Sequence, residues 1–307
     1  MGSEMCIRDR DNLSLRGSWG TAFRAPSLHQ LGLGRTDESP NLVDTVRCNA
    51  VGLGCQPQEY TAVFEGNPNL GPEESTSYNL GVIYEVTDDL SFSLDYYDYD
   101  IEDIIDSDTQ FVFTNFGTDP SVVQRIPTAD PNDPGEVVRI FDSFQNIGDL
   151  ETSGLDLDIK YHLETSSGDY NFGYVLNYVL NFEEFRPDAT GGQRLNLQEG
   201  EFEQPEIRWT TYMDWAKDDY SASVAINFID EFDGDKDSGF GDKTVDSMTT
   251  VDATVNYMGI KNTTLTLGAT NLFNEEPPFS HHEFTGFVNG THSGQGRFVY
   301  VQGRYQF

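Results

Sequence analysis

The chain ends in the stretch Arg297-Phe-Val-Tyr-Val-Gln-Gly-Arg-Tyr-Gln-Phe307, in which large apolar and polar side chains alternate. Successive side chains of a β-strand point to opposite faces, so this stretch predicts a strand with two different faces. The apolar face would hold Val299, Val301, Tyr305 and Phe307, and the polar face Gln302, Arg304 and Gln306. A strand that borders hydrocarbon on one side and water on the other has this pattern. The aromatic end therefore predicts a barrel-closing strand, with Tyr305 and Phe307 as its last apolar residues.

The composition agrees with strands that cross a membrane. Hydrophobic residues make up only 37% of the 307 residues, yet aromatic residues reach 13%, with 21 Phe and 15 Tyr. The mean hydropathy is −0.49. Such a mixture is expected when apolar residues face lipid, polar residues face a wet interior and aromatic rings lie at the two interfaces. Nowhere does the sequence approach the roughly 20 consecutive apolar residues of a spanning helix, so strands would do the crossing.

The charge is strongly negative, with 52 acidic against 18 basic side chains and a formal net charge of −34. This charge excludes nucleic acid as a partner, because phosphates would be repelled. Most acidic clusters lie between the periodic segments, for example at 130–133, 199–206 and 230–242. We interpret them as solvated loops, which either aid solubility or bind divalent cations such as Ca²⁺.

Two of the three cysteines lie seven residues apart, Cys48 and Cys55, in a loop-like stretch. A local disulfide is expected there and implies an oxidising compartment. A metal site would need further Cys or His at ligand spacing, and none is nearby. The third cysteine, Cys6, lies in residues 1–10, which lack the apolar segment of a secretory signal. We therefore interpret 1–10 as a non-native or disordered leader and the chain as a fragment.

About ten segments show a period of two, which predicts an all-β protein. Their connections alternate between short ones, such as 86–89, 164–169, 216–219 and 258–262, and long ones, roughly 24–72, 104–148, 183–203, 230–244 and 273–296. Short turns at one rim and long loops at the other are typical of bacterial outer-membrane barrels. The segments are Leu13–Gly20, Tyr78–Tyr84, Leu90–Tyr96, Leu155–Tyr161, Phe172–Leu180, Trp209–Trp215, Ala222–Phe228, Val251–Tyr257, Leu265–Ala269 and Arg297–Phe307.

Four motifs, taken in order, resemble the TonB-dependent outer-membrane receptors. The first two are Gly20-Thr-Ala-Phe-Arg-Ala-Pro-Ser-Leu28 and Gly66-Asn-Pro-Asn-Leu-Gly-Pro-Glu-Glu-Ser-Thr-Ser-Tyr-Asn-Leu-Gly81. The last two are Thr270-Asn-Leu-Phe-Asn274 and Gly303-Arg-Tyr-Gln-Phe307. The resemblance implies an antiparallel transmembrane barrel of 22 strands, to which residues 11–307 would supply about the last ten. It also implies a plug domain and a TonB-contacting segment, and nothing in this sequence matches either.

The resemblance implies energised import across the outer membrane of a bacterium. Extracellular loops would capture a scarce, bulky ligand (an iron chelate, haem, cobalamin or an oligosaccharide), and the inner-membrane TonB complex would act through the N-terminal region. Lipid, lipopolysaccharide and the barrel-assembly machinery are the further partners. As an isolated chain, the fragment would expose strand edges at Leu13–Gly20 and Arg297–Phe307, and open edges in lipid favour aggregation.

Candidate ligand residues lie in the predicted loops. The histidines of the last long loop, beside Glu283, are candidates to contact a metal chelate or haem. The alternative is that they are solvent-exposed polar residues with no role in binding. Aromatic loop residues are candidates for stacking on a sugar, against the alternative of packing within the loops. The histidines are His281, His282 and His292, and the aromatic candidates include Tyr60, Phe111, Phe279 and Phe284.

Residues Asp233-Gly-Asp-Lys-Asp237 resemble the start of a calcium loop through Asp233, Asp235 and Asp237. Ser238 stands where the sixth-position glycine is expected, and Thr244 where the twelfth-position glutamate is expected. A site of that type is therefore not expected, and no cofactor is predicted.

Enzyme signatures are missing from the sequence: it has no Gly-x-Ser-x-Gly elbow, His-Glu-x-x-His pair, phosphate loop or dinucleotide fingerprint. We therefore predict a non-enzyme. A passive porin or adhesin barrel is the first alternative and an outer-membrane barrel hydrolase the second. A plug and a TonB box upstream would distinguish the importer from a passive barrel.

Overall fold

The structure, a computed structural model, describes residues 3–10, 12–187, 193–198, 200–201, 203–234, 244–281 and 285–307. Its main element is an antiparallel sheet of 12 strands. The strands are β1 Ser3–Arg10, β2 Leu13–Arg24, β7 Glu73–Glu85, β8 Leu90–Asp106, β11 Gln145–Thr165, β12 Gly168–Pro187, β13 Gln193–Gln198, β14 Ile207–Lys217, β15 Tyr220–Ile229, β16 Met248–Ile260, β17 Thr263–Thr270 and β18 Phe298–Tyr305. Their order in the sheet is β1-β2-β7-β8-β11-β12-β14-β15-β16-β17-β18, with β13 paired to β12.

All ten periodic segments are strands of this sheet, and the predicted all-β architecture is confirmed. One predicted edge is wrong. Ser3–Arg10 pairs with β2, with Ile7 opposite Leu15, so Leu13–Gly20 is not an edge of the sheet. Backbone hydrogen bonds build this pairing, whereas the prediction relied on the side-chain pattern and set residues 1–10 aside as a leader. Whether these residues are native to the protein stays a prediction.

The apolar side chains of neighbouring strands lie opposite one another, which places them on one face of the sheet. One row runs across seven strands through Leu15, Val82, Leu94, Leu157, Leu176, Trp209 and Phe228. A second row runs through Ala222, Val255, Leu267 and Val301. This register is what the period of two requires, since a slip by one residue would turn each apolar set to the other face.

Large residues of this face are exposed, including Leu80 (64%), Leu267 (55%) and Val301 (79%). A water-soluble sheet would bury such a continuous surface against another layer. Among the described residues, the buried apolar clusters lie among the connections instead. The apolar face is therefore suited to lipid.

The opposite face carries polar side chains that bond to one another across strands. Thr210 donates to Asn227 at 3.0 Å, and Asn227 donates to Asp252 at 3.1 Å. Arg16 donates to Asp95 across two strand pairings at 2.6 Å. This polar face matches the water-facing wall that the sequence predicted.

Glycines on the polar face make room for tyrosine rings of the neighbouring strand. Gly173 lies opposite Tyr212 on β14, and a Cβ built on Gly173 would overlap that ring. Tyr97 covers Gly154 and Tyr300 covers Gly268 in the same way. A ring that covers a cross-strand glycine shields exposed backbone and pins the register.

We expect Gly173→Val to cost about 1–3 kcal/mol, the usual cost of overpacking a filled site. The readout is the fraction of the protein that resists unfolding in SDS during a thermal series. Gly303→Val, on the apolar face, is the control for the substitution itself, because a Cβ there meets Leu265 at an ordinary 3.7 Å. Equal loss in the two variants would contradict a specific role for the Gly173 and Tyr212 pair.

Short turns join the strands at one end of the sheet, the turn end: 86–89, 166–167, 218–219 and 261–262. The long connections lie at the opposite end, the loop end, as predicted. Towards the loop end, the strands extend beyond their apolar segments. In β8, for example, the strand continues after Tyr96 through Asp98, Asp100 and Glu102. Backbone pairing continues there in water, where no apolar face is required. No helix in the described part of the chain is long and apolar enough to span a membrane.

The remaining elements lie in the two longest connections. The helices are α1 Leu28–Gly32, α2 Thr45–Val51 and α3 Thr109–Asn115. The strands are β3 Thr36–Glu38, β4 Asn41–Leu42, β5 Gln58–Glu59, β6 Ala62–Glu65, β9 Val123–Ile126 and β10 Glu136–Ser143. A sheet in the order β3-β6-β10-β9 links the two connections, because β10 pairs parallel with β6.

Candidate ligand-binding loops

The two longest connections fold together into one compact body, which we call the loop unit (36–65 and 108–143). Its core joins residues from both segments, so neither segment can bury these side chains alone. The sequence predicted two separate loops and missed this body. The core residues are Leu42, Tyr60, Ala62, Phe113, Val123 and Ile140.

A buried ion pair holds the two segments of the loop unit together. Arg125 donates two hydrogen bonds to the carboxylate of Asp44, at 2.7 and 2.8 Å, and both side chains are buried. Asp44 also caps α2 by accepting from the backbone N–H of Arg47. Arg47 in turn donates two bonds of 2.9 Å to Asp133. Bidentate pairs of this kind fix geometry as well as charge.

Cys48 and Cys55 are joined by a disulfide that closes the end of α2. The bond lies beside Asp44, which receives the backbone N–H of Cys48 at its carbonyl. We predict that alkylation of unreduced protein leaves both residues unlabelled in mass spectrometry. Labelling of both thiols would contradict the bond, and labelling of both after reduction is the check on the reagent.

The aromatic candidates occupy different environments. Tyr60 is buried and packs edge-on against Phe113 at 5.2 Å, which fits the packing alternative. Phe111 is partly buried against Phe116 at 6.3 Å. Phe279 is exposed at 65% and meets His281 edge-on at 4.8 Å, so it is the candidate best placed to contact a ligand. Phe284 lies outside the described residues.

The two described histidines of the predicted cluster differ in burial. His281 is exposed beside Phe279, whereas His292 is buried and stacks on Phe232 at 5.8 Å. His292 belongs to a small cluster with Phe232, Val245 and Val288, which ties together the last two long loops. His282 lies outside the described residues. Within the part of the chain that the structure describes, no group of three or more His, Cys, Asp or Glu is arranged to hold a metal ion.

Burial lowers the pKa of His292, and the nearby charge of Arg208 lowers it further. A lowered pKa means that His292 binds a proton less well when it is buried than when it is exposed to water. The packing of His292 on Phe232 is therefore stable above about pH 6.5 and weakens as the pH falls. We predict faster hydrogen exchange of residues 288–292 at pH 5 than at pH 7.5, after correction for intrinsic rates. His292→Phe should remove this difference, and an unchanged pH dependence in that variant would contradict the assignment.

Asp233, the first residue of the predicted calcium loop, lines an acidic cleft of about 420 Å³. Asp235 and Asp237 lie outside the described residues. The cleft is also lined by Glu201, Glu206, Asp230 and Glu231. These carboxylates come from two different long connections, which the spacing within 233–237 does not reveal.

The Thr270-Asn-Leu-Phe-Asn274 motif anchors the last long loop to the sheet. Asn271 donates its backbone N–H to Asp252 at 2.8 Å, and its side chain exchanges two hydrogen bonds with the backbone of Glu275. The side chain of Asn274 accepts from the backbone N–H of Arg297, where the loop returns to β18. Asn271 and Asn274 have positive φ angles of 48° and 60°, which asparagine tolerates better than most residues. The motif therefore fixes both ends of the loop.

Comparisons with known proteins agree with this architecture. The chain matches the family model "TonB dependent receptor-like, beta-barrel" over residues 9–272. No curated protein matches it in sequence. The structure is similar to a ferric enterobactin receptor (PfeA) mutant from Pseudomonas aeruginosa in complex with enterobactin, with a TM-score of 0.69 and 18% identity. That match covers 100% of this chain and 40% of the receptor.

Two further solved structures share the fold. The siderophore receptor PirA from Acinetobacter baumannii has a TM-score of 0.66 and 17% identity, over 100% of this chain and 40% of PirA. The copper transporter OprC has a TM-score of 0.58 and 14% identity, over 100% of this chain and 39% of OprC. The chain thus spans about two fifths of the length of the structures it matches. The family match covers most of the sequence, and the chain belongs to the TonB-dependent receptor-like β-barrel family.

Proposed function

We propose that the chain is the C-terminal barrel part of an outer-membrane receptor that takes up a scarce, bulky ligand with energy supplied through TonB. The single observation that carries this proposal is the family match, which covers the strands of the main sheet from β2 to β17. The loop unit and the last long loop, which is fixed at both ends by hydrogen bonds, support capture of a ligand, because they give the loop end ordered surfaces. An iron chelate, haem, cobalamin or an oligosaccharide is the candidate cargo.

The proposed partners follow from the two faces of the sheet. The apolar face would contact outer-membrane lipid and lipopolysaccharide, and barrel-assembly machinery would insert the strands. A cleft of about 670 Å³ on the polar face, lined by Arg16, Asp95, Asp156 and Asp158 among others, would face a plug supplied by the N-terminal region. That region would contact the TonB complex at the inner membrane.

The test is uptake by cells that carry the full-length receptor gene, with and without a functional tonB gene. We expect accumulation of the cargo, or growth on it as the limiting nutrient, in the first strain alone. Equal uptake in both strains would favour the passive porin, and uptake in neither would favour an adhesin. Candidate cargoes are supplied as an iron-chelate, haem, cobalamin and oligosaccharide panel under limitation of the matching nutrient.

A further inference from the structure

We propose that Asn289 is a modification site, at which the side-chain amide is hydrolysed without an enzyme and the residue becomes an aspartate or an isoaspartate. The modification involves one turn of the last long loop and is independent of transport. Among all asparagines of the sequence, Asn289 alone is followed by a glycine. The following residue matters because its backbone nitrogen is the group that attacks the side chain.

The reaction takes place between these two neighbouring residues. The backbone nitrogen of Gly290 loses its proton to water and attacks Cγ of the Asn289 side chain. The bond from Cγ to the side-chain nitrogen breaks with release of ammonia, and the product is a succinimide ring. A water molecule then opens the ring at either carbonyl, which leaves an aspartate or an isoaspartate whose backbone runs through the side chain. One ammonia leaves, one water is added, and nothing is oxidised or reduced.

The local structure leaves the nitrogen of Gly290 open to this reaction. Asn289 and Gly290 are both exposed and form the tip of a turn outside the strands. The turn is closed by two backbone hydrogen bonds to the carbonyl of Val288, donated by Thr291 at 3.2 Å and by His292 at 2.8 Å. The Gly290 nitrogen takes part in neither bond. Glycine has no Cβ to shield its nitrogen and has the backbone freedom that ring closure requires.

The modification changes what the turn contacts. The side-chain nitrogen of Asn289 donates to the hydroxyl of Thr285 at 3.1 Å, and a carboxylate has no proton to donate in its place. A Cβ built on Gly290 would lie 3.0 Å from a carboxylate oxygen of Glu203, which belongs to a different long connection. The new negative charge therefore arises one residue away from an existing one, and like charges repel.

The same turn carries contacts that hold the last long loop to the preceding one. Val288 and His292 lie on either side of the tip and are buried. Val288 packs with Phe232 and Val245, and His292 stacks on Phe232. Loss of the hydrogen bond to the Thr285 hydroxyl and repulsion at the tip both act on this segment. We expect the modification to loosen the contact between the two loops and to leave the sheet unchanged.

The test follows the receptor, folded in outer membranes, during incubation in heavy-oxygen water at physiological temperature and pH. Solvent oxygen enters when the succinimide opens, so the label separates modification during incubation from modification during sample preparation. Peptide mass spectrometry should show labelled aspartate and isoaspartate at position 289. They should form at least about 10-fold faster than at Asn262, which corresponds to a barrier lower by about 1.4 kcal/mol. Asn262 is the matched control, because it lies in an exposed turn but precedes Thr263. Absence of label at position 289, or equal rates at the two positions, would overturn the proposal.

Gly290→Ala tests the mechanism, because a Cβ shields the attacking nitrogen. Alanine fits at this position, since the φ of Gly290 lies outside the left-handed region and the nearest atom is the flexible end of Glu203. We expect label incorporation at Asn289 to slow several-fold. Unchanged incorporation would contradict attack by the Gly290 nitrogen.

Asn289→Asp tests the consequence, because it places the product's charge in the turn. Hydrogen exchange of residues 288–292 should become faster, and Glu203→Gln in the same chain should restore part of the protection. Asn262→Asp, in the turn 261–262, adds the same charge at the opposite end of the sheet and should leave that exchange unchanged. Exchange like that of the parent in Asn289→Asp would contradict the loosening of the loops.

Discussion

Asp44→Ala is expected to destabilise the loop unit by about 3–5 kcal/mol, the cost of leaving a buried charge without its partner. The substitution leaves the guanidinium of Arg125 without its carboxylate partner. The Arg125 side chain is only 9% exposed, and after the loss of Asp44 its remaining hydrogen bonds are to two carbonyl groups. It also removes the cap of α2. The measurement is hydrogen exchange of residues 36–65 and 108–143 in the full-length receptor, with limited proteolysis as a second readout.

Asp37→Ala is the control for this prediction, because Asp37 is exposed on β3 of the same unit. It should leave exchange rates within about 0.5 kcal/mol of the parent, as surface substitutions usually do. The double variant Asp44→Ala with Arg125→Met should recover part of the loss, because an apolar pair has no unpaired buried charge. A double variant as unstable as Asp44→Ala alone would contradict the account.

Leu267→Arg is expected to block assembly of the barrel, at a cost of about 2–4 kcal/mol for an arginine near the middle of the lipid layer. Leu267 lies in the middle of β17, between Val255 and Val301 on the exposed apolar face. The readout is the amount of folded receptor in purified outer membranes, judged by its altered migration in unheated SDS gels.

Thr266→Arg is the matched control on the adjacent residue, which points to the polar face. Thr266 donates to Asn256 at 2.6 Å, so its replacement loses one hydrogen bond, about 1 kcal/mol. The charge itself would remain in water. Equal damage from the two arginines would contradict the assignment of the faces.

The sequence alone predicted the strands of the main sheet because their pattern is local. In β17 and β18, the alternating residues Leu265, Leu267 and Ala269, and Val299, Val301 and Tyr305, are apolar or aromatic, with Gly303 as the one interruption, and the register of the pair aligns the two sets. The ends of the strands were less predictable. In β8 the pattern stops after Tyr96, yet pairing continues to Asp106, because backbone hydrogen bonds need no apolar side chain in water.

The candidate site was only partly predictable. The spacing of Cys48 and Cys55 indicated a bond, since the two residues are close in sequence. The Asp44 and Arg125 pair had no such signal, because 81 residues separate the two partners. The exposed Phe279 and the buried His292 lie in the same long loop, and His292 is buried because it packs with Phe232 and Val245 of another loop.

The sequence by itself determined the alternation that gives the sheet its two faces, and also the short turns, the long acidic loops and the family. These are properties of neighbouring residues, and the geometry of a strand converts them directly into facing. Only the tertiary structure decided that two distant loops share one core and that the buried pair of Asp44 and Arg125 joins them. Those features depend on contacts between segments far apart in the chain, whose free energy no local pattern contains.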